Sequence, residues 1–198
     1  MSKTQVKAGG ISLSDTFAFT GTVTGTQGLV LVHSSSSSSA ASSVSIDSVF
    51  TTTYNLYHVE MTFDRSDTAG TYLRFLKSSD GSERSSSYYM TDHRIHTNDT
   101  THTIDNSNNV STFYINRGSG SEAGLDTRFS AKILNPMGSS NTYMDANLYG
   151  YHDGNNAHTS HHLTGHNDTE EQVRGLKFVA NSGNITAYNI KIYGYVNA

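Results

Sequence analysis

The feature that most constrains this chain is a two-residue apolar period that recurs along its length, with no convincing helical period to compete with it. In residues 57–63, Tyr57, Val59, Met61 and Phe63 fall on one side and His58, Glu60 and Thr62 on the other. Successive side chains of an extended backbone point to opposite faces, so this pattern predicts a half-buried strand. It returns in LDTRFSAKIL, where Leu125, Phe129, Ala131 and Ile133 oppose Asp126, Arg128 and Lys132. In NTYMDANLYGY it sets Met144, Ala146 and Leu148 against Tyr143, Asp145, Asn147 and Tyr149. GLKFVA and NITAYNIKIYGYV close the chain, with Ile190 and Ile192 alternating against Lys191 and Tyr193, and NSGN at 181–184 is expected to form a hairpin turn between them. Shorter candidates are GLVLVH, SSVSIDSVF, TYLRFL and VSTFYI, and Asn135-Pro136, which holds the only proline, marks a turn. About eight or nine strands result, the signature of an all-β antiparallel sandwich or barrel.

Composition decides whether such a chain folds at all. Hydrophobic content is 34% and charged content 15%, which alone would resemble a disordered segment. Disorder, however, goes with high net charge and few aromatics, whereas this chain has 12 Tyr, 8 Phe and a formal charge of -4. Its surface therefore rests on hydroxyls and amides more than on ions. Thirteen Lys and Arg are too few and too scattered for a phosphate-binding stripe, so no nucleic-acid partner is expected. Lacking any run of about 18 apolar residues, the chain is not expected to insert in a membrane, and MSKTQVKAGGISLSD has no apolar core of a secretory signal. Without cysteine there are no disulfides or thiolate metal sites, so the fold must hold by packing or oligomerisation.

A serine tract at 34–39 stands between GLVLVH and SSVSIDSVF. A linker would separate segments that each bury a core, but the residues before the tract contain too few apolar side chains for that. The tract is expected to join two strands of one sandwich or to continue them as a solvated edge. Residues 28–198 then form the sandwich and residues 1–27 an arm, in which Ile11, Leu13, Phe17, Phe19 and Val23 are the candidate docking side chains. An alternating FAFTGTV could add a strand to a neighbouring chain.

These residues also carry a resemblance. The serine-rich lead-in with SVSIDSVFTTTYNLY (residues 43–57), the ILNP turn (133–136) and the closing SGNIT strand ending in YG (182–194) are similar to small virion structural proteins and fibre domains of tailed bacteriophages, including those of marine hosts. VKAGGISLSDTFAFTGTV looks like a fibre attachment segment. The resemblance implies a jelly-roll-like sandwich, usually a homotrimer, serving in the virion as a capsid decoration or cement protein, a knob or a tail-fibre component. Its partners would be other virion proteins.

HDGNNAHTSHHLTGHND holds His158, His161, His162 and His166, which could close around a divalent ion. Its spacing matches no metal signature and its Asn and Gly read as a surface loop between strands. His93, His96 and His102 form a second group open to the same two readings. No G-x-S-x-G elbow is present, and Asp64, Asp67, Asp126 and Asp145 lack the context of a glycosidase pair, so no enzyme and no cofactor is expected. Tyr143, Tyr149, Tyr151, Tyr193 and Tyr195 lie on outward faces of late strands. They suit a protein interface or a host surface glycan, unless they line the second sheet's core. The alternative function is therefore a carbohydrate-binding receptor-recognition module of a fibre, or a free lectin.

Overall fold

The computed structural model describes residues 28–67, 70–97, 102–116, 127–152 and 157–196. The arm with Ile11, Leu13, Phe17, Phe19 and Val23 lies outside the described residues, as do Leu125 and Asp126. Among the described residues there is no helix, hence none long and apolar enough to cross a membrane. The chain is all-β, with two antiparallel sheets forming a sandwich.

Among the described residues twelve strands run in chain order: β1 Leu29–Ser37, β2 Ser43–Ile46, β3 Leu56–Arg65, β4 Thr71–Lys77, β5 Tyr88–His96, β6 His102–Val110, β7 Phe113–Asn116, β8 Thr127–Leu134, β9 Thr142–His152, β10 Ala157–Asn167, β11 Val173–Ala180 and β12 Ile185–Tyr195. One sheet has the order β1-β12-β3-β8-β9-β10-β5-β6 and the other β2-β11-β4-β7. The serine tract extends β1, pairing Ser34 to Lys191 and Ser37 to Tyr188 at the edge of the larger sheet, before the chain crosses to β2 in the smaller one.

The alternation predicted for β3, β8, β9 and β12 is what buries the core. Tyr57, Val59, Met61 and Phe63 are buried with Phe129, Ala131 and Ile133, Met144, Ala146 and Leu148, and Ile190 and Ile192. Phe129 of the larger sheet meets Phe178 of the smaller edge-to-face, with ring centroids 5.6 Å apart. Such a pair adds about 0.5–1.5 kcal/mol beyond burial of its area. At the other end Phe113 packs edge-on against Phe75 at 5.5 Å and against Tyr88 at 4.8 Å.

Two expectations need correction. NSGN does not close a hairpin: β11 and β12 belong to different sheets, and the turn, with Gly183 at φ 59°, carries the chain from one to the other. The strand count was low because β5, β6 and β10 are rich in His, Asn, Ser and Thr. They lie together at one side of the larger sheet, where β6 buries no residue fully. A strand in that position needs only a few inward apolar residues, such as Met90 and Leu163, so its period is faint in the sequence.

Candidate functional site

Antiparallel register sets opposed residues side by side, so the outer face of the larger sheet can be read in rows. One row runs Leu134 on β8, Tyr143 on β9, His166 on β10 and Tyr89 on β5. Two residues along, the next row runs Lys132, Asp145, Thr164 and Thr91 to Asn106 on β6. The threonines are short where their neighbours are long, and the face there is hollowed into an open trough of about 810 Å3. The imidazole of His166 stacks on Tyr89, with centroids 5.1 Å apart and planes 7° apart, and Tyr143 leans on it at 5.7 Å and 40°. Tyr143 remains 46% exposed. Thr91 donates to Asn106 Oδ1 at 2.9 Å, and Asp145 Oδ1 lies 2.9 Å from His162 Nε2.

Tyr149, Tyr193 and Tyr195 share this face but not this trough. Tyr149 is 54% exposed and lines a second hollow of about 460 Å3 with Arg128, Glu60 and Lys191. Six residues separate it from Tyr143, about 20 Å along an extended strand. Tyr193 is half-buried against the His58 ring at 6.4 Å, and Tyr195, also half-buried, pairs with Leu29 on the edge strand. Tyr151 belongs to β9, and its side chain lies outside the described residues. Tyr143, Tyr149, Tyr193 and Tyr195 thus do not line the core between the sheets.

The part of the histidine-rich segment that holds His158, His161, His162 and His166 is a strand, not a surface loop. Residues 157–167 are β10, hydrogen-bonded between β9 and β5 in the interior of the larger sheet. Alternation sends His158, His162 and His166 outward and His161 inward, so the four cannot surround one ion. Even the outward ones stand four residues apart, about 13 Å along the strand. Among the described residues no group of three or more His, Asp or Glu side chains is placed to hold a metal. His161 instead sits at 1% exposure with Nδ1 3.2 Å from both oxygens of buried Asp92. Arg94 Nε is 3.6 Å from the same carboxylate, and the Arg94 guanidinium also pairs with Asp105. Burying the Asp92 carboxylate is tolerable because the Arg94 guanidinium and a ring nitrogen of His161 both face it.

Asp64 and Asp145 both face outward, but six residues of register and two intervening strand spacings put them more than about 20 Å apart. A retaining or inverting glycosidase pair needs about 5–10 Å. Asp67 is engaged in the turn after β3 with Arg65 and Ser182.

Elsewhere the polar groups serve the scaffold. Lys177 hydrogen-bonds Glu83 at 2.5 Å and holds its carboxyl below the ordinary range, helped by Arg74 at 2.6 Å. Burial pushes the Tyr88 phenol well above its usual value. Of the trough residues, Tyr89, Thr91 and Asn106 carry no signal in the sequence, and Lys132 is legible there only as outward-facing, because only cross-strand register brings them together. Compared with protein-family models, with curated proteins and with solved structures, the chain matches none of them.

Proposed function

We propose that this chain is a non-enzymatic structural protein of a tailed-bacteriophage virion, a capsid decoration or cement protein, knob or fibre component that works through oligomer and particle interfaces. The observation that carries the reading is the exposed outer face of the larger sheet. Eight strands about 4.8 Å apart and some nine residues long make a face of roughly 1,000 Å2, against about 800 Å2 per partner in a standard protein interface. Large apolar side chains stand exposed on it outside the trough as well, from Leu31 and Tyr149 to Ile95 and Ile104. Isolated exposed apolar residues are ordinary, but a set spread over one continuous face fits contact with further subunits in a homotrimer. Residues 1–27 would dock the sandwich to other virion proteins by strand addition.

The jelly-roll part of the reading is supported by the pairing. β1 pairs with β12, β2 with β11, β3 with β8 and β4 with β7, all antiparallel. A long double ribbon with those four rungs, rolled on itself as in a jelly roll, would give the half-sheets β1-β12-β3-β8 and β2-β11-β4-β7, and the observed strand orders are compatible with it. Four further strands, β5, β6, β9 and β10, widen one sheet only.

Immunogold electron microscopy with antibody to this chain on intact phage particles tests the proposal. Gold over heads fits a decoration or cement role and gold on tails a fibre role. Particles that carry no gold would overturn the virion reading.

A further inference from the structure

The geometry points to a binding site for a neutral pyranose sugar in the trough between β8, β9, β10, β5 and β6. It does not rest on the virion role, because it concerns what the trough recognises in the isolated chain. Its apolar element is the Tyr143 ring, 46% exposed, with the His166 ring tilted against it at 5.7 Å and itself stacked flat on Tyr89. A pyranose presents one face of C–H groups, apolar and slightly positive, and the negative face of an aromatic ring is its complement.

The polar element lies one row away. Lys132 and Asp145 are cross-strand partners, so a strong donor and a strong acceptor stand side by side next to the ring. Across the trough, Asn106 and Thr91 add an amide and a hydroxyl, already oriented by their mutual hydrogen bond of 2.9 Å. Neighbouring sugar hydroxyls each donate and accept: Lys132 and Asp145 answer both demands for the ring that stacks on Tyr143, while Thr91 and Asn106, two and three strand spacings from Asp145 or about 10–14 Å, reach a second unit of the glycan. The two charged members cancel, which favours a neutral sugar over a carboxylated or sulfated one. At about 810 Å3 the trough falls within the usual range for small-ligand sites, roughly 300–1,000 Å3, and it is open at the surface, as a site for the end of a glycan must be.

The second hollow, around Tyr149, provides an internal control. It has an exposed tyrosine too, but among the described residues no ring stacks against Tyr149, and Arg128 and Lys191 outnumber Glu60.

Saturation-transfer NMR on the purified full chain tests the site, using the methyl glycosides of glucose, galactose, mannose and N-acetylglucosamine, with methyl N-acetylneuraminide as the acidic probe. At least one neutral glycoside is expected to bind with a dissociation constant on the order of 1 mM, a typical strength for so small a ligand. Tyr143→Ala should weaken it tenfold or more, and Tyr149→Ala should leave it unchanged, with circular dichroism confirming that both variants fold. Amide-shift mapping on the unmutated chain gives a second readout: perturbations should cluster on Lys132, Tyr143, Asp145, Thr164 and Thr91. No binding by any neutral glycoside, stronger binding of the acidic one, or shifts clustered around Tyr149 would each overturn the proposal. Gold-labelled particles together with sugar-blind protein would remove the trough and keep the virion role, and unlabelled particles with sugar binding would do the reverse.

Discussion

Replacing Tyr88 by phenylalanine removes one oxygen from the core and should reveal how the edge of the smaller sheet is completed. β7 pairs with β4 only as far as Leu73, leaving the Phe75 backbone beyond its end. The segment before β5 takes over: Arg84 N–H donates to the Phe75 carbonyl at 2.9 Å, and the Phe75 N–H donates to Tyr88 Oη at 2.8 Å. The phenol also donates to the Arg84 carbonyl at 3.3 Å. In Tyr88→Phe the ring keeps its contacts with Phe75 and Phe113, but a buried N–H loses its acceptor, at a cost of about 1–3 kcal/mol. For a chain of this size each kcal/mol moves the melting temperature by about 2–4 °C, so a fall of about 2–12 °C is expected near pH 7. The pH dependence supplies a second, independent check. Burial raises the folded-state pKa of Tyr88 above its ordinary value of 10.0, so the contribution of the phenol is complete below pH 10 and declines as pH rises beyond it. At pH 11 the unfolded chain gains about 1.4 kcal/mol from ionising this group while the folded chain gains almost none. The gap between wild type and Tyr88→Phe, followed by urea unfolding from pH 7 to 11, should therefore narrow by about that amount. A melting temperature within 1 °C of wild type at pH 7, or a gap that stays constant to pH 11, would refute the assigned role of the phenol.

Three further outcomes are expected. Gly165→Ala places a Cβ against the Tyr89 carbonyl oxygen and 2.8 Å from Phe113 Cε1, so denaturant unfolding should show a loss of about 1–3 kcal/mol or more. Asp92→Ala leaves buried His161 and Arg94 Nε facing a vanished carboxylate and should cost about 3–5 kcal/mol, whereas Asp145→Ala, whose partner His162 is exposed, should change stability by less than about 1 kcal/mol. Glu83 is held below its ordinary 4.5 chiefly by the Lys177 hydrogen bond. The stability it contributes is present above that pH and is lost as pH falls through the folded value, so Glu83→Gln should flatten the acid limb of a melting-temperature profile.

How much of this was legible in advance follows from where each strand sits. β3, β8, β9 and β12 lie side by side in the larger sheet with one face in the core and the other exposed, and that asymmetry is written directly into a two-residue period. β10 has the same backbone, but its inward residues from Thr159 on are Thr159, His161, Leu163, Gly165 and Asn167, three of them polar. Its period was hidden, and His161 looked like a loop ligand until Asp92 appeared beside it. Tyr143 and Tyr149 were recognisable as outward-facing because Met144, Ala146 and Leu148 between and beside them had to face in.

The local sequence by itself determined the extended backbone, the inward and outward faces of the apolar strands and the absence of cysteine-based support, since each depends only on residues near in the chain. Tertiary structure alone decided the split into sheets of eight and four strands, the crossing made by NSGN and the meeting of Tyr89, Lys132, Tyr143, Asp145 and His166 in one trough. Periodicity says which face a residue takes; which residue stands beside it is settled by strand order and register, and those are set by the packing of the whole core.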